Sequence, residues 1–139
     1  MLCPWNEKLF KVSTTSKILD NERKETFHTF VMRFMYLTKY AQPDILIGVV
    51  FLSTRVLKPN ADNWEKVIKI LNYLNLKKKI MLKLEAEDIT NLKWYVDLLI
   101  ETYLDFKSHT GSVFSLGKGV VCSNFTKQNT NAQSSTEAE

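Results

Sequence analysis

The sequence predicts an α+β chain: a segment of three helices, then a small, mainly antiparallel sheet. Apolar residues recur at helical spacing from about residue 20 to residue 76. After the run Lys77-Lys78-Lys79 the period falls to two. Hydrophobic residues make up 45% and charged residues 24% of the 139 positions, a globular composition that supports one average domain or two smaller pieces. The boundaries that follow are an extended lead segment over 1–19, a helical segment over 20–78 and a sheet segment over 79–139.

Residues 1–19 have no clear period, though Leu9, Phe10 and Val12 can pack as a short extended stretch. Asp20 or Asn21 offers an N-cap. Phe27, Val31, Phe34, Met35 and Thr38 then form the stripe of an amphipathic helix over 21–40. His28 lies beside that stripe and reads as a structural or partly exposed histidine rather than a ligand. Gln42-Pro43-Asp44 signals a helix start, with proline in the first turn and Asp44 at the positive end of the dipole. The run Ile45 to Leu57 is apolar on nearly all sides, which predicts the most buried helix, ended by Pro59. Asn60 or Asp62 caps a third helix with the stripe Trp64, Val67, Ile68, Leu71 and Leu74. A stripe of that kind reads as core rather than as a cofactor site.

In the sheet segment, Ile80, Leu82 and Leu84 alternate with Met81, Lys83 and Glu85 as a strand, and Glu87-Asp88 reads as a turn. Leu92, Trp94 and Val96 form the apolar face of a second strand, with Lys93, Tyr95 and Asp97 opposite. If that strand continues, Leu98 joins the apolar face and is the more buried of the pair, and Leu99 shares the face of Asp97. Ser108-His109-Thr110-Gly111 reads as turn-like. Val113–Leu116 and Val120–Phe125 read as two further strands joined by a hairpin turn at Gly117-Lys118-Gly119. Residues 126–135 are polar. Ser134 or Ser135 then caps a helix that begins at Thr136-Glu137-Ala138-Glu139.

The formal net charge is +4 and the pI about 9.0. That excess permits nucleic-acid binding, and an ordinary basic surface accounts for it equally well. Lys77-Lys78-Lys79 is either a solvated turn or a set of phosphate contacts. Cys3 and Cys122 are far apart and lack zinc-ligand spacing, which predicts free thiols in a reducing compartment. The N-terminus has neither the basic nor the apolar region of a signal peptide. The run Ile45–Leu52 is too short to span a bilayer, which needs about 20 residues. The expectation is an intracellular chain, cytoplasmic or nuclear, neither secreted nor in a membrane.

Two carboxylates stand out. Asp97 lies near the end of a strand and Glu137 at a helix start. If they converge, they can hold a hard cation such as Mg²⁺ through oxygen ligands, and paired ions of that kind support phosphodiester hydrolysis. Spacing alone leaves the alternative of two surface carboxylates open.

Four blocks occur in order: Lys93-Trp94-Tyr95-Val96-Asp97, Ser108-His109-Thr110-Gly111, Leu116-Gly117-Lys118-Gly119 and Ser134-Ser135-Thr136-Glu137-Ala138-Glu139. With this order and spacing they resemble the ribonuclease H segment of Ty1/copia-type retrotransposon Pol polyproteins. Phe27-His28, Ala41-Gln42-Pro43-Asp44-Ile45, Thr54-Arg55-Val56, Asn63-Trp64 and Leu71-Asn72-Tyr73-Leu74 resemble the helical thumb or connection stretch that follows the reverse transcriptase core. The resemblance covers the chain from about residue 9 onward. It implies an incomplete ribonuclease H-like sheet after the helices, with Asp97 and Glu137 as catalytic metal ligands for Mg²⁺. It places Ser134, Lys118 and Lys127 against the nucleic-acid backbone, although Ser134 serves equally as a helix cap. Glu139 falls on the following turn.

Departures from the family pattern set the functional expectation. Leu98-Leu99 stands where the family carries small residues that let an RNA–DNA hybrid approach the metal. The family's further acidic ligands belong beyond the helix that begins at Glu137. Tyr95-Val96-Asp97-Leu98 only echoes the polymerase motif Tyr-x-Asp-Asp. The reading is a degenerate, truncated Pol fragment that is inactive alone, holds no metal stably and keeps at most residual binding to a hybrid or to RNA. The alternatives are a ribonuclease H half-domain active only within a longer polyprotein, and an interaction module that docks on the element's Pol or Gag.

Overall fold

Phe27, Val31, Phe34 and Thr38, four of the five residues in the first stripe, are the buried residues of helix α1, Asn21–Tyr40. The computed structural model describes residues 9–11, 15–77, 79, 82–86, 90–99 and 109–127, the side chains of 98, 99 and 127 excepted. Asp20 is the N-cap and is extended, but its side chain makes no cap bond. Its backbone carbonyl accepts from Lys24 N–H at 2.9 Å instead. Thr38 tolerates burial because its hydroxyl donates to the Met35 carbonyl at 2.8 Å.

Pro43–Ile45 forms a single 3₁₀ turn, and α2 follows as Leu46–Ser53. This helix is shorter than the apolar run predicted. Ser53 Oγ donates to Val50 O and Thr54 Oγ1 to Phe51 O, each at 2.7 Å. The next amides, Thr54 and Arg55, reach back three residues, to Phe51 and Leu52. Hydroxyls that compete for backbone carbonyls and a tightened last turn end the helix before Pro59. Leu57, expected inside it, is 81% exposed. Gly48, Val49, Phe51 and Leu52 are buried, so the core role of α2 holds.

Helix α3, Ala61–Lys77, starts where Asn60 Oδ1 accepts the Asn63 N–H at 3.0 Å. Its buried face is rotated from the expected stripe. Val67 and Ile70 are buried together with Asn63 and Lys66, while Ile68 is exposed and Trp64, Leu71 and Leu74 are half-buried. Lys66 makes this rotation possible. Its ammonium donates to Lys11 O at 2.7 Å and Asp62 Oδ2 at 2.8 Å, and it lies 4.9 Å from the centroid of the Phe51 ring. Hydropathy alone counts such a residue as outward-facing.

The lead segment contributes to the same core. Leu9 is buried and Phe10 packs edge-on against Phe51, with centroids 5.8 Å apart. Ile18 bridges Asn60 in antiparallel fashion, flanked by Leu19 N–H to Pro59 O at 3.0 Å and Ala61 N–H to Lys17 O at 2.9 Å.

These elements belong to the first of two compact units, Met1–Met81; the second is Leu82–Glu139. In the second, β1 (Glu85–Ala86) pairs with β4 (Gly117–Lys118), and β2 (Lys93–Leu99), β3 (His109–Ser115) and β5 (Cys122–Lys127) form a sheet in the order β2-β3-β5. All of these pairings are antiparallel. The fold class is thus α+β. Two strand expectations change. The strand expected over 80–85 pairs only at Glu85–Ala86, and Ile80, Met81 and the turn Glu87-Asp88 lie outside the described residues. His109-Thr110-Gly111, read as turn-like, opens β3. Among the described residues no helix is long and apolar enough to cross a membrane.

Candidate functional site

Asp97 sits within β2, directly across from Gly111 of β3, which in turn faces Phe125 of β5. Alternation along β2 puts Tyr95 and Asp97 on one face of the sheet and Trp94 and Val96 on the other. For these four residues the expected division between faces stands. The expected burial does not: Leu92, Trp94 and Val96 are 66, 64 and 62% exposed. It is the Asp97 face that carries His109 and Phe125, both buried, with rings stacked 5.2 Å apart at 15°. The neighbours of a strand decide which face is covered, and β3 and β5 contribute their bulk to the Asp97 side. The relative burial of Leu98 and Leu99 falls on side chains outside those described.

The Asp97 carboxylate is exposed. Gly111, directly across from it on β3, brings no side chain of its own. A methyl at Gly111 would meet Phe125 Cδ2 at 3.5 Å and the Asp97 carbonyl at 3.8 Å, ordinary contacts. Asp97 can therefore present one carboxylate to a cation or to a donor. Mg²⁺ requires several oxygen ligands. Among the described residues no three of His, Cys, Asp and Glu gather in one place. The described donors alone do not make a fit for a stably held ion. Glu137, the second expected ligand, and Ser134 lie outside the described residues, so the expected approach of Glu137 to Asp97 does too.

Lys118 is on β4, paired in register with Glu85, and its ammonium lies 3.0 Å from Glu85 Oε2. Both groups are well exposed, and an ion pair of this kind yields readily to a phosphate. Lys127 ends β5 in register with His109; its side chain is not among those described. The turn that holds Lys118 is tightly specified. Ser115 is buried, and its Oγ lies 2.9 Å from Gly117 O and 2.8 Å from Gly119 O. Gly119 has φ +84°, and a Cβ there would fall 2.2 Å from the Lys83 carbonyl oxygen. The expected hairpin turn is thus also an edge that β1 pairs with.

Sequence reasoning missed a polar cluster in the first unit. Asp44 Oδ2 accepts a short hydrogen bond from the Tyr73 hydroxyl and a 2.7 Å contact from Lys77 Nζ, which also lies 4.4 Å from the centroid of the Tyr73 ring. Burial pushes the Asp44 carboxyl up, but the hydrogen bonds from Lys77 and Tyr73 outweigh it and hold the group below its ordinary range. The bond to Asp44 raises Lys77. Burial and the bond to Asp44 raise Tyr73. The cluster joins the 3₁₀ turn before α2 to the end of α3. Its signal in the sequence is the i, i+4 spacing of Tyr73 and Lys77, visible only once Asp44 is known to face them.

No protein-family model matches the chain, and no solved structure matches it.

Proposed function

We propose that this chain is a segment of a Ty1/copia-type retrotransposon Pol polyprotein, running from the helices after the reverse transcriptase core into a ribonuclease H-like sheet. It is degenerate, has no nuclease activity of its own, and keeps weak affinity for an RNA–DNA hybrid or RNA. One observation carries the reading: the ordered motif blocks place Asp97 on the opening strand of an antiparallel sheet, exposed, with Gly111 across from it. A hybrid-cleaving site needs a carboxylate so placed, with space for a phosphate backbone beside it. Leu98-Leu99 argues for lost activity, since bulk follows the aspartate where the family carries small residues. Lys118 supplies an exchangeable cation for backbone contacts, an affinity that falls with salt.

The test is an assay of the full chain with a labelled RNA–DNA hybrid in Mg²⁺ or Mn²⁺. No cleavage is expected, together with weak retention of the hybrid that disappears as salt rises. Metal-dependent cleavage abolished by Asp97→Asn would overturn the degenerate reading in favour of a working half-domain. Absence of any hybrid or RNA retention at low salt would remove the binding part. The coding sequence on either side tests the family reading itself, which predicts polymerase motifs upstream.

A further inference from the structure

The segment Leu92-Lys93-Trp94-Tyr95-Val96-Asp97-Leu98 is its own complement about Tyr95. Laid antiparallel against a second copy, with a two-fold axis at Tyr95, it sets Lys93 opposite Asp97, Trp94 opposite Val96 and Leu92 opposite Leu98. Tyr95 meets itself, and the symmetry makes each unlike pair occur twice. Opposite charges and an aromatic with a β-branched residue are the pairs that stabilise directly opposed strand positions.

The structure supplies the backbone this pattern needs. Lys93–Leu99 is β2, and β2 stands at the end of the order β2-β3-β5 among the described residues. Trp94 and Val96 on one face and Tyr95 on the other are each at least 60% exposed. An edge strand with large apolar side chains on both faces is a template for another strand, and natural edges are blunted by charge, proline or a bulge. Lys93–Leu99 contains no proline, and its two charges are the pair that matches in this register. Lys93 and Asp97 each already have an interaction within their own chain, and pairing with a second copy has to share or replace it. The other margin, Cys122–Lys127, reads Cys-Ser-Asn-Phe-Thr-Lys, polar and without self-complementary charges. Growth of the sheet beyond two copies is therefore disfavoured at β5.

We infer that β2 pairs with β2 of a second copy of this chain, antiparallel and centred on Tyr95, so that the two three-stranded sheets become one continuous sheet.

Sedimentation velocity of the full chain across micromolar concentrations is expected to show a monomer–dimer equilibrium. Asp97→Lys sets lysine opposite lysine twice and should raise the dimer Kd about tenfold or more. Lys93→Asp should do the same, and the double swap Lys93→Asp/Asp97→Lys should restore the original value. A second measurement fixes the register independently of charge. In a Cys3→Ser/Cys122→Ser background, Tyr95→Cys should form an interchain disulfide on mild oxidation, and Trp94→Cys should form it several-fold more slowly because Trp94 faces Val96. A chain that stays monomeric throughout overturns the proposal. So does a dimer indifferent to the charge reversals, a double swap that fails to restore pairing, or assembly that passes directly to large aggregates. A monomer that instead binds single-stranded RNA through Trp94 assigns the face to another occupant and overturns it as well.

Discussion

Replacing Lys66 separates two parts of its stability contribution, the apolar stem and the ammonium. The residue is 5% exposed on α3, with its ammonium bonded to Lys11 O and Asp62 Oδ2 and lying against the Phe51 ring. In Lys66→Ala three buried methylenes are lost, about 0.8 kcal/mol each. Two charge-assisted hydrogen bonds go too, each worth about 1.5–3 kcal/mol. The contact with the ring adds about 0.5–1 kcal/mol. Against these stands the relief of no longer burying an ammonium, several kcal/mol. The net expectation is a loss of about 2–4 kcal/mol, dominated by the stem and the cavity it leaves. Lys66→Met keeps the stem and removes the charge, so it should fall within about 1 kcal/mol of the parent, since an apolar isostere of a buried cation is often neutral. Asp62→Ala leaves the cation buried with one partner fewer and should lie between the two. Urea unfolding followed at 222 nm, where the helices of the first unit dominate, gives the three values. If Lys66→Met costs as much as Lys66→Ala, the ammonium bonds and not the stem hold α3 in its rotated setting, and the reasoning fails.

Gly119→Ala should destabilise the second unit by more than about 2 kcal/mol, because it combines a left-handed backbone with a Cβ 2.2 Å from the Lys83 carbonyl oxygen; loss of dispersed amide resonances for Phe114 and Val121 in NMR spectra would register it, and an unchanged spectrum would contradict it. The Asp44 tie fixes the pH response of the first unit. Asp44 is depressed from 3.8, so its contribution is present above that value and is lost as pH falls through the folded value; Lys77 and Tyr73 are raised from 10.5 and 10.0, so theirs are present below those values and are lost as pH rises through the folded ones. Lys77→Met should flatten both limbs of a thermal-melting profile against pH, by about 0.5–1 kcal/mol at neutrality for so solvent-screened a pair, and identical profiles for variant and parent would refute the assignment.

How far the sequence carried depended on where each signal resided. Helix α1 was legible to the residue because Phe27, Val31, Phe34 and Thr38 keep one period and its ends are polar. Helix α2 was overextended, since hydropathy sees Val56 and Leu57 but not the hydroxyls of Ser53 and Thr54 turning back on the chain. The face of α3 was misjudged by its two polar residues: Lys66 is buried only because Lys11 and Asp62 meet it, and Lys11 lies 55 positions away. In the sheet, Thr110 and Gly111, within the block read as turn-like, disguised the start of β3. Pairing with Leu98 and Asp97 on one side and with Thr126 and Phe125 on the other makes a strand of them. The identity of Asp97 as an exposed strand carboxylate was legible. Which side of β2 is covered was not, because local alternation defines two faces and only the partner strands choose between them.

Asp97 belongs to both arguments about this chain, and they place opposite demands on it. Under the proposed family reading it must stay accessible to cations and to a phosphate backbone. In a β2–β2 pairing it faces a lysine of the second copy, which neutralises it and occupies the space beside it. The two states therefore compete, and their responses to substitution differ. Lys93→Met removes the partner charge from the pairing but leaves the carboxylate intact, so it weakens association while the affinity of Asp97 for a cation is kept or raised. Asp97→Asn removes the carboxylate from both. The tilted packing of Trp94 on Phe114, with centroids 5.6 Å apart, lies on the other face of the sheet and is common to both states. If association were driven by this aromatic face alone, Lys93→Met and Asp97→Asn would leave it unchanged, and Trp94→Ala would abolish it. The charge register, rather than exposed hydrophobic area, is what makes the pairing specific to a second copy.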